Sequence, residues 1–122
     1  MIVSSFDMHV NSEPFQKIKD GTKTIELRLY DEKRRHLSIT SNYLYLYNRE
    51  NERELVCADV KDLHIFPTFK ELFENKELFD KCGFDGLSPD EAVQVMYRYY
   101  SPEDEKKYGV IGIELCKVVY RK

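Results

Sequence analysis

The 122-residue sequence predicts an α+β fold: about five mainly antiparallel strands, able to close into a small barrel, with flanking helices. Three observations carry that expectation. Segments with a two-residue period occur near the start, in the middle and at the end of the chain. Helical signatures gather in two places between them, and the regular strand-helix alternation of a doubly wound parallel sheet is missing.

The elements follow in order. Residues 2–10 read as a first strand. "NSEPFQKIKDG" then offers Ser12 as N-cap, Pro14 in the first turn, Phe15 and Ile18 on one face, and Gly21 as the stop of a short helix. In "TKTIELRLY", Ile25, Leu27 and Leu29 alternate with Thr24, Glu26, Arg28 and Tyr30, the pattern of a strand with one face in the core. "NYLYLYN" is apolar on both faces through Tyr43, Tyr45, Tyr47, Leu44 and Leu46, which suits a central strand or a barrel wall. The polar turn "NRENERE" leads into "ELVCADVKDLHIF", an antiparallel hairpin partner.

After Pro67 the period changes. Thr68 caps "TFKELF" with Glu71 closing a capping box, and Phe69, Leu72 and Phe73 make its apolar side. "SPDEAVQVMYRYY" repeats the signature, with Ser88, Pro89 and Glu91 at its start and a buried stripe of Ala92, Val95, Met96 and Tyr99. Ser101 caps a short acidic-then-basic turn that stops at Gly109, and "GVIGIELCKVVY" returns to strand.

Composition narrows the function. Hydrophobic residues are 42% of the chain and aromatics 13%, enough for a packed core, and one domain over residues 1–122 fits the usual size of ~100–150 residues. A net charge of −3 argues against coating long nucleic acid, which needs a basic footprint; the lone basic run, "KRRH" from Lys33 to His36, reads first as a solvated loop. Neither a GxGxxG nor a GxxxxGK[ST] loop occurs. Three scattered cysteines suit a reduced, cytoplasmic protein, and no local spacing builds a metal site. No cofactor is implied, no secretion signal is recognisable, and no apolar run reaches the ~20 residues of a membrane span. Oligomeric state leaves no mark on the sequence.

Lys23, Glu26 and Arg28 are the candidate chemistry. Glu26 and Arg28 lie on one face of the strand, with side chains ~7 Å apart, so they can pair or present an acceptor and a donor fork to a planar ligand such as a nucleobase edge. Lys23 stands at the entrance, just after the Gly21 turn, where it can hold phosphate or, if desolvated, act as a base. The plain alternative is a surface salt bridge on an edge strand. Tyr97, Tyr99, Tyr100 and Tyr108 cluster with Arg98 near the last helices; Tyr99 falls on the apolar stripe and reads as core, while Arg98, Tyr100 and Tyr108 could supply base stacking.

"FQKIKDGTKTIELRL" resembles the helix, turn and strand of ASCH domains, whose hallmark G-x-K-x-x-E-x-R is matched by Gly21, Lys23, Glu26 and Arg28. The ending "YYSPEDEKKYGVIGIELCKV" is similar to that of many small bacterial members. The resemblance implies a β-barrel related to the PUA fold and recognition of RNA or a nucleotide in a cleft between barrel and helix. Some bacterial members hydrolyse N4-acetylcytidine with a Lys, a Thr three positions on, and a carboxylate; here Lys23 matches the Lys, but Glu26 stands at the Thr position. The family often has Gly-Asp before the third strand, where this chain has "ITSNY". The expectation is therefore a cleft that binds a nucleotide or single-stranded RNA through Gly21, Lys23, Glu26, Arg28, Arg98, Tyr100 and Tyr108. One alternative is a nucleoside hydrolase with Lys23 as base and Glu26 as carboxylate; the other is an interaction module without a small ligand.

Overall fold

A computed structural model describes residues 4–38 and 42–122. The chain runs β1 (Ser4–Val10), α1 (Ser12–Asp20), β2 (Ile25–Leu29), a 3-10 turn (Arg34–His36), β3 (Asn42–Asn48) and β4 (Asn51–Phe66). It continues through α2 (Phe69–Glu74), α3 (Lys76–Phe79), α4 (Pro89–Met96), α5 (Pro102–Tyr108) and β5 (Val110–Arg121). Residues 2 and 3 of the expected first strand, and Ile39 to Ser41 of "ITSNY", lie outside the described residues.

The five strands form one curled sheet, a half-barrel of order β1-β3-β4-β5-β2 with helices around it. β3–β4, β4–β5 and β2–β5 are antiparallel, as the alternation predicts, but β1 pairs with β3 in parallel. The chain returns to the same end of the sheet after α1 and β2, and such a crossover permits parallel pairing that a tight hairpin does not. Among the described residues the strand ladder does not close, and β1 and β2 are its edges. A side chain reaches across instead, as Arg28 Nη2 donates to the His9 carbonyl at 2.7 Å.

Two apolar clusters occupy the two faces. Phe15 and Ile18 of α1 pack with Met8, Leu44, Val56 and Ile111 inside the curl. On the other face Ile25, Leu27 and Leu29 meet Phe69, Leu72, Phe73, Ala92 and Met96 of the helices. Register fixes what shares each face, because directly opposed residues of an antiparallel pair point the same way. Glu26 lies opposite Ile113 and Arg28 opposite Ile111, so both charges stand on the concave, α1-covered face; Ile25 opposes Glu114, which therefore faces the helices.

Local expectations were met unevenly. Ser88 and Glu91 form the reciprocal capping box, Thr68 caps α2, and Ser101 caps α5 by accepting from Asp104 N. Asn11, not Ser12, holds the N-cap position of α1, yet its side-chain oxygen accepts from Arg49 Nη1 rather than from the helix. The buried side of α4 is Ala92, Val93 and Met96, while Tyr99 is 55% exposed. The helix ends at Met96, so residue 99 no longer follows its 3.6-residue period. No helix among the described residues is long and apolar enough to cross a membrane.

Candidate functional site

The motif turn is pinned at several points. Gly21 ends α1 with a left-handed φ of 89°, a conformation that costs other residues dearly, and its N–H returns to Ile18 O. Lys23 N then donates to Lys17 O, Thr24 N and Ile25 N both donate to Lys81 O, and Leu115 N donates to Thr24 O. The start of β2 is thereby tied to α1, to the α3–α4 connection and to β5 at once.

This frame buries three charges. Lys23 is 5% exposed, and its Nζ donates to Ile25 O at 2.7 Å and Cys82 O at 3.0 Å, with Glu26 Oε1 at 3.7 Å. Arg28 Nε and Nη2 both reach Glu26 Oε2 at 2.8 Å. Burial alone would raise the Glu26 pKa, but the positive charges of Arg28 and Lys23, the Arg28 hydrogen bond and the Leu27 backbone N–H outweigh it and hold the carboxyl below its ordinary range. Glu26 Oε2 takes both Arg28 nitrogens, whereas Oε1 faces Lys23 Nζ at 3.7 Å, beyond hydrogen-bonding distance, and among the described residues accepts from no other side chain.

Gly83 makes this packing possible. A Cβ there would lie 3.0 Å from Lys23 Cβ, and its φ of +81° also favours glycine. Gly83 O accepts from Lys17 Nζ at 2.8 Å, so Cys82 and Gly83 present neighbouring carbonyls to two lysines.

Above the trio opens a cleft of about 780 Å³. Its lining carries six cations, Lys17, Lys23, Arg28, Arg34, Arg49 and Arg98, against three acids, Glu13, Glu26 and Asp85. Asp31, paired with Arg34 at 3.1 Å just outside the lining, reduces that formal excess from three to two, so the cleft is basic within a chain whose net charge is −3.

The structure brings Lys23, Glu26, Arg28, Arg98 and Tyr100 to this cleft; Gly21 and Tyr108 are not among its lining residues. Gly21 acts upstream, through the turn, and Tyr108 packs against the helix-side cluster. Tyr100 stacks on Phe69 with ring centroids 6.0 Å apart. Burial raises its hydroxyl pKa, partly opposed by the charge of Arg28. Tyr97, another member of the tyrosine cluster, instead donates its hydroxyl to the buried Glu105, which also accepts from Phe69 N at the start of α2.

Residues that sequence reasoning did not assign to the site include Arg34, Arg49, Cys82, Gly83, Leu87 and Tyr99. Arg34 belongs to the "KRRH" run read as solvated loop; it pairs with Asp31 at 3.1 Å and lines the cleft. The basic run was its available signal. Cys82 is no thiolate: burial pushes its pKa up to about 12, and its Sγ donates to Leu78 O. Among the described residues no Ser or Thr lines the cleft.

A second polar cluster lies on the helix side. Ligand atoms of Asp62, His64 and Glu114 fall within 4.8 Å of one another, an arrangement that no local spacing announces. Lys81 Nζ at 3.0 Å and Lys61 Nζ at 3.7 Å from Glu114 Oε2 already supply positive charge there.

The ASCH domain model matches residues 8–119 of this chain. The crystal structure of hypothetical protein PH0355 is 36% identical and superposes with a TM-score of 0.78, over 92% of this chain and 97% of that one. The solution structure of protein PF0455 from Pyrococcus furiosus is 33% identical, with a TM-score of 0.68 over 92% and 96% of the two chains. The crystal structure of ASCH from Zymomonas mobilis, 12% identical, has a TM-score of 0.61 over 93% of this chain and 67% of that one, a likeness of fold alone. No curated protein matches the chain.

Proposed function

The chain belongs to the ASCH domain family, a PUA-like family consistent with RNA binding in general, and from that premise we propose that its cleft binds a nucleotide or a short single-stranded RNA element. The observation that carries this reading is the buried Glu26 carboxylate, kept ionised beside two cations, whose Oε1 accepts from no other side chain among the described residues, at the floor of a basic cleft. An ionised acceptor recognises the exocyclic amino group of adenine, cytosine or guanine, which uracil lacks. Arg28 orients Glu26 and, with Nε and Nη2 spent on Glu26 and His9, keeps Nη1 for the ligand. Lys23, committed to two carbonyls, is a positioning residue for Glu26 rather than a phosphate hook.

We infer binding rather than turnover. To act as a base on a water or a hydroxyl, Lys23 Nζ would have to leave the Ile25 and Cys82 carbonyls to which it donates, and the Cys82 thiol stays protonated at neutral pH. The three free cysteines accord with a cytoplasmic protein.

The test is calorimetric titration with the four nucleosides and their 5′-monophosphates. Adenine, cytosine or guanine compounds bind and the uracil ones bind more weakly; Glu26→Gln lowers the affinity about 10- to 100-fold, the worth of a hydrogen bond to a charged group. With one or two phosphates engaged, log K falls with log salt by only ~0.7 per phosphate. Absence of binding by every compound, or a Glu26→Gln variant that binds as tightly as wild type, overturns the proposal. Incubation with N4-acetylcytidine releases no cytidine; release at a catalytic rate would reinstate the hydrolase.

A further inference from the structure

Resting on the reading above, we infer that the ligand is a strand of at least two nucleotides, with a phosphodiester held at Arg49 and the base next to the recognised one stacked on Tyr99.

Arg49 sits in the β3–β4 turn, fixed by its own N–H to Val10 O at 2.8 Å. Its guanidinium touches only neutral acceptors among the described residues, Asn11 Oδ1 at 3.1 Å and His9 O at 3.2 Å. Glu52, from the same hairpin, is paired with His9 Nε2 at 2.8 Å. Arg28 Nη2 reaches the same His9 carbonyl, so two guanidiniums converge on one oxygen. Glu26 balances the charge of Arg28, but among the described residues no carboxylate pairs with Arg49. A phosphate seated there would relieve the repulsion and accept from the planar fork, a geometry guanidinium suits better than ammonium.

Tyr99 differs from the tyrosines on either side of it in chain. Tyr97 is tied to Glu105 and Tyr100 lies on Phe69, whereas Tyr99 is 55% exposed although its backbone is held by Met96 O. Leu87, 36% exposed, lines the same cleft. An exposed aromatic ring in the lining of a basic cleft is a stacking surface that any base can use, and a volume of about 780 Å³ leaves room beyond one nucleoside. Glu26 would read one base, and Tyr99 would receive its neighbour without reading it.

The experiment is a ladder of calorimetric titrations with the full chain: nucleosides, 5′-monophosphates, then the sixteen RNA dinucleotides. The best dinucleotide binds at least ~10-fold tighter than its better monophosphate, consistent with one stacked base. Tyr99→Ala erases that gain, lowering dinucleotide affinity by more than monophosphate affinity, while Arg49→Gln erases the gain from nucleoside to phosphate-bearing ligands. Circular dichroism verifies that both variants fold, as their exposed or turn positions lead one to expect. Monophosphates and dinucleotides binding alike, or a Tyr99→Ala variant that keeps the dinucleotide gain, overturns this inference while the nucleotide-binding reading stands. Failure of the whole ladder overturns both.

Discussion

Glu26 and Glu114 stand on paired strands, β2 and β5, each 5% exposed and each held below the ordinary carboxyl range, yet they are built to different ends. Glu114 faces the helices and spends both oxygens, Oε1 on His64 and Oε2 on Lys81. Glu26 faces the concave side and concentrates its partners on Oε2, leaving Oε1 beneath a cleft. Burial and compensation are common to both; an oxygen that accepts from no other side chain among the described residues separates the Glu114 clamp from the proposed Glu26 receptor. Their partners differ as well, since Arg28 and Lys23 have side chains only 12% and 6% exposed, whereas Lys81 and Lys61 are 42% and 62% exposed.

That difference in partners sets the largest expected effect. Glu26→Ala leaves Lys23 and Arg28 buried without a counter-charge and costs about 3–5 kcal/mol in urea denaturation. Glu114→Ala costs about 1–2 kcal/mol, because its lysines can turn to water and only the half-buried His64 loses a partner. Ligand affinity falls with the first substitution and holds with the second. Equal losses of stability, or a drop in affinity on changing Glu114, would break the distinction.

Gly83 sharpens the comparison from the other side of Lys23. Gly83→Ala combines a left-handed backbone with a Cβ 3.0 Å from Lys23 Cβ and is expected to cost about 1–3 kcal/mol. Gly86 has the same φ of +81° with open space around it, so Gly86→Ala isolates the backbone part. The excess of the first over the second in urea denaturation reports how tightly Lys23 is packed, and only Gly83→Ala weakens nucleotide binding by displacing the support of Glu26. Identical costs and unchanged binding would remove Lys23 from its positioning role.

The two glutamates also mark what can be read from a chain. The Glu26 site is largely local: Gly21, Lys23 and Arg28 are all within five residues, and the two-residue period of β2 shows which side chains share a face. Glu114 draws on Lys81 and His64, 33 and 50 residues away, and no spacing rule reaches that far. The cleft walls follow the same division. Cys82 and Gly83 arrive through a carbonyl contact 59 residues removed from Lys23, and Tyr99 was hidden because its exposure depends on α4 ending at Met96. Strand alternation gave the elements and the β3–β4 hairpin, but the parallel β1–β3 pairing depends on a crossover that is not a local property. That the charged face of β2 is buried likewise depends on α1 and the helix connection closing over it.

The smallest effect is the response to acid, and its sign follows from the pKa directions. Both carboxyls are lowered from 4.5, so each contributes stability that is complete above that value and lost as pH falls through the folded-state pKa. Glu26→Gln removes one titrating group: the variant is less stable at about pH 7, but its gap from wild type narrows as urea midpoints are followed down to about pH 3. Glu114→Gln narrows in the same sense. Binding then distinguishes them, because protonated Glu26 loses its ionised acceptor and adds a donor where the ligand's amino group must donate. Wild-type and Glu114→Gln affinities therefore fall together as pH drops through the lowered Glu26 pKa, while Glu26→Gln starts low and lacks that component. A loss of affinity on acidification as large in Glu26→Gln as in wild type would place the titrating group elsewhere and detach the ligand from Glu26.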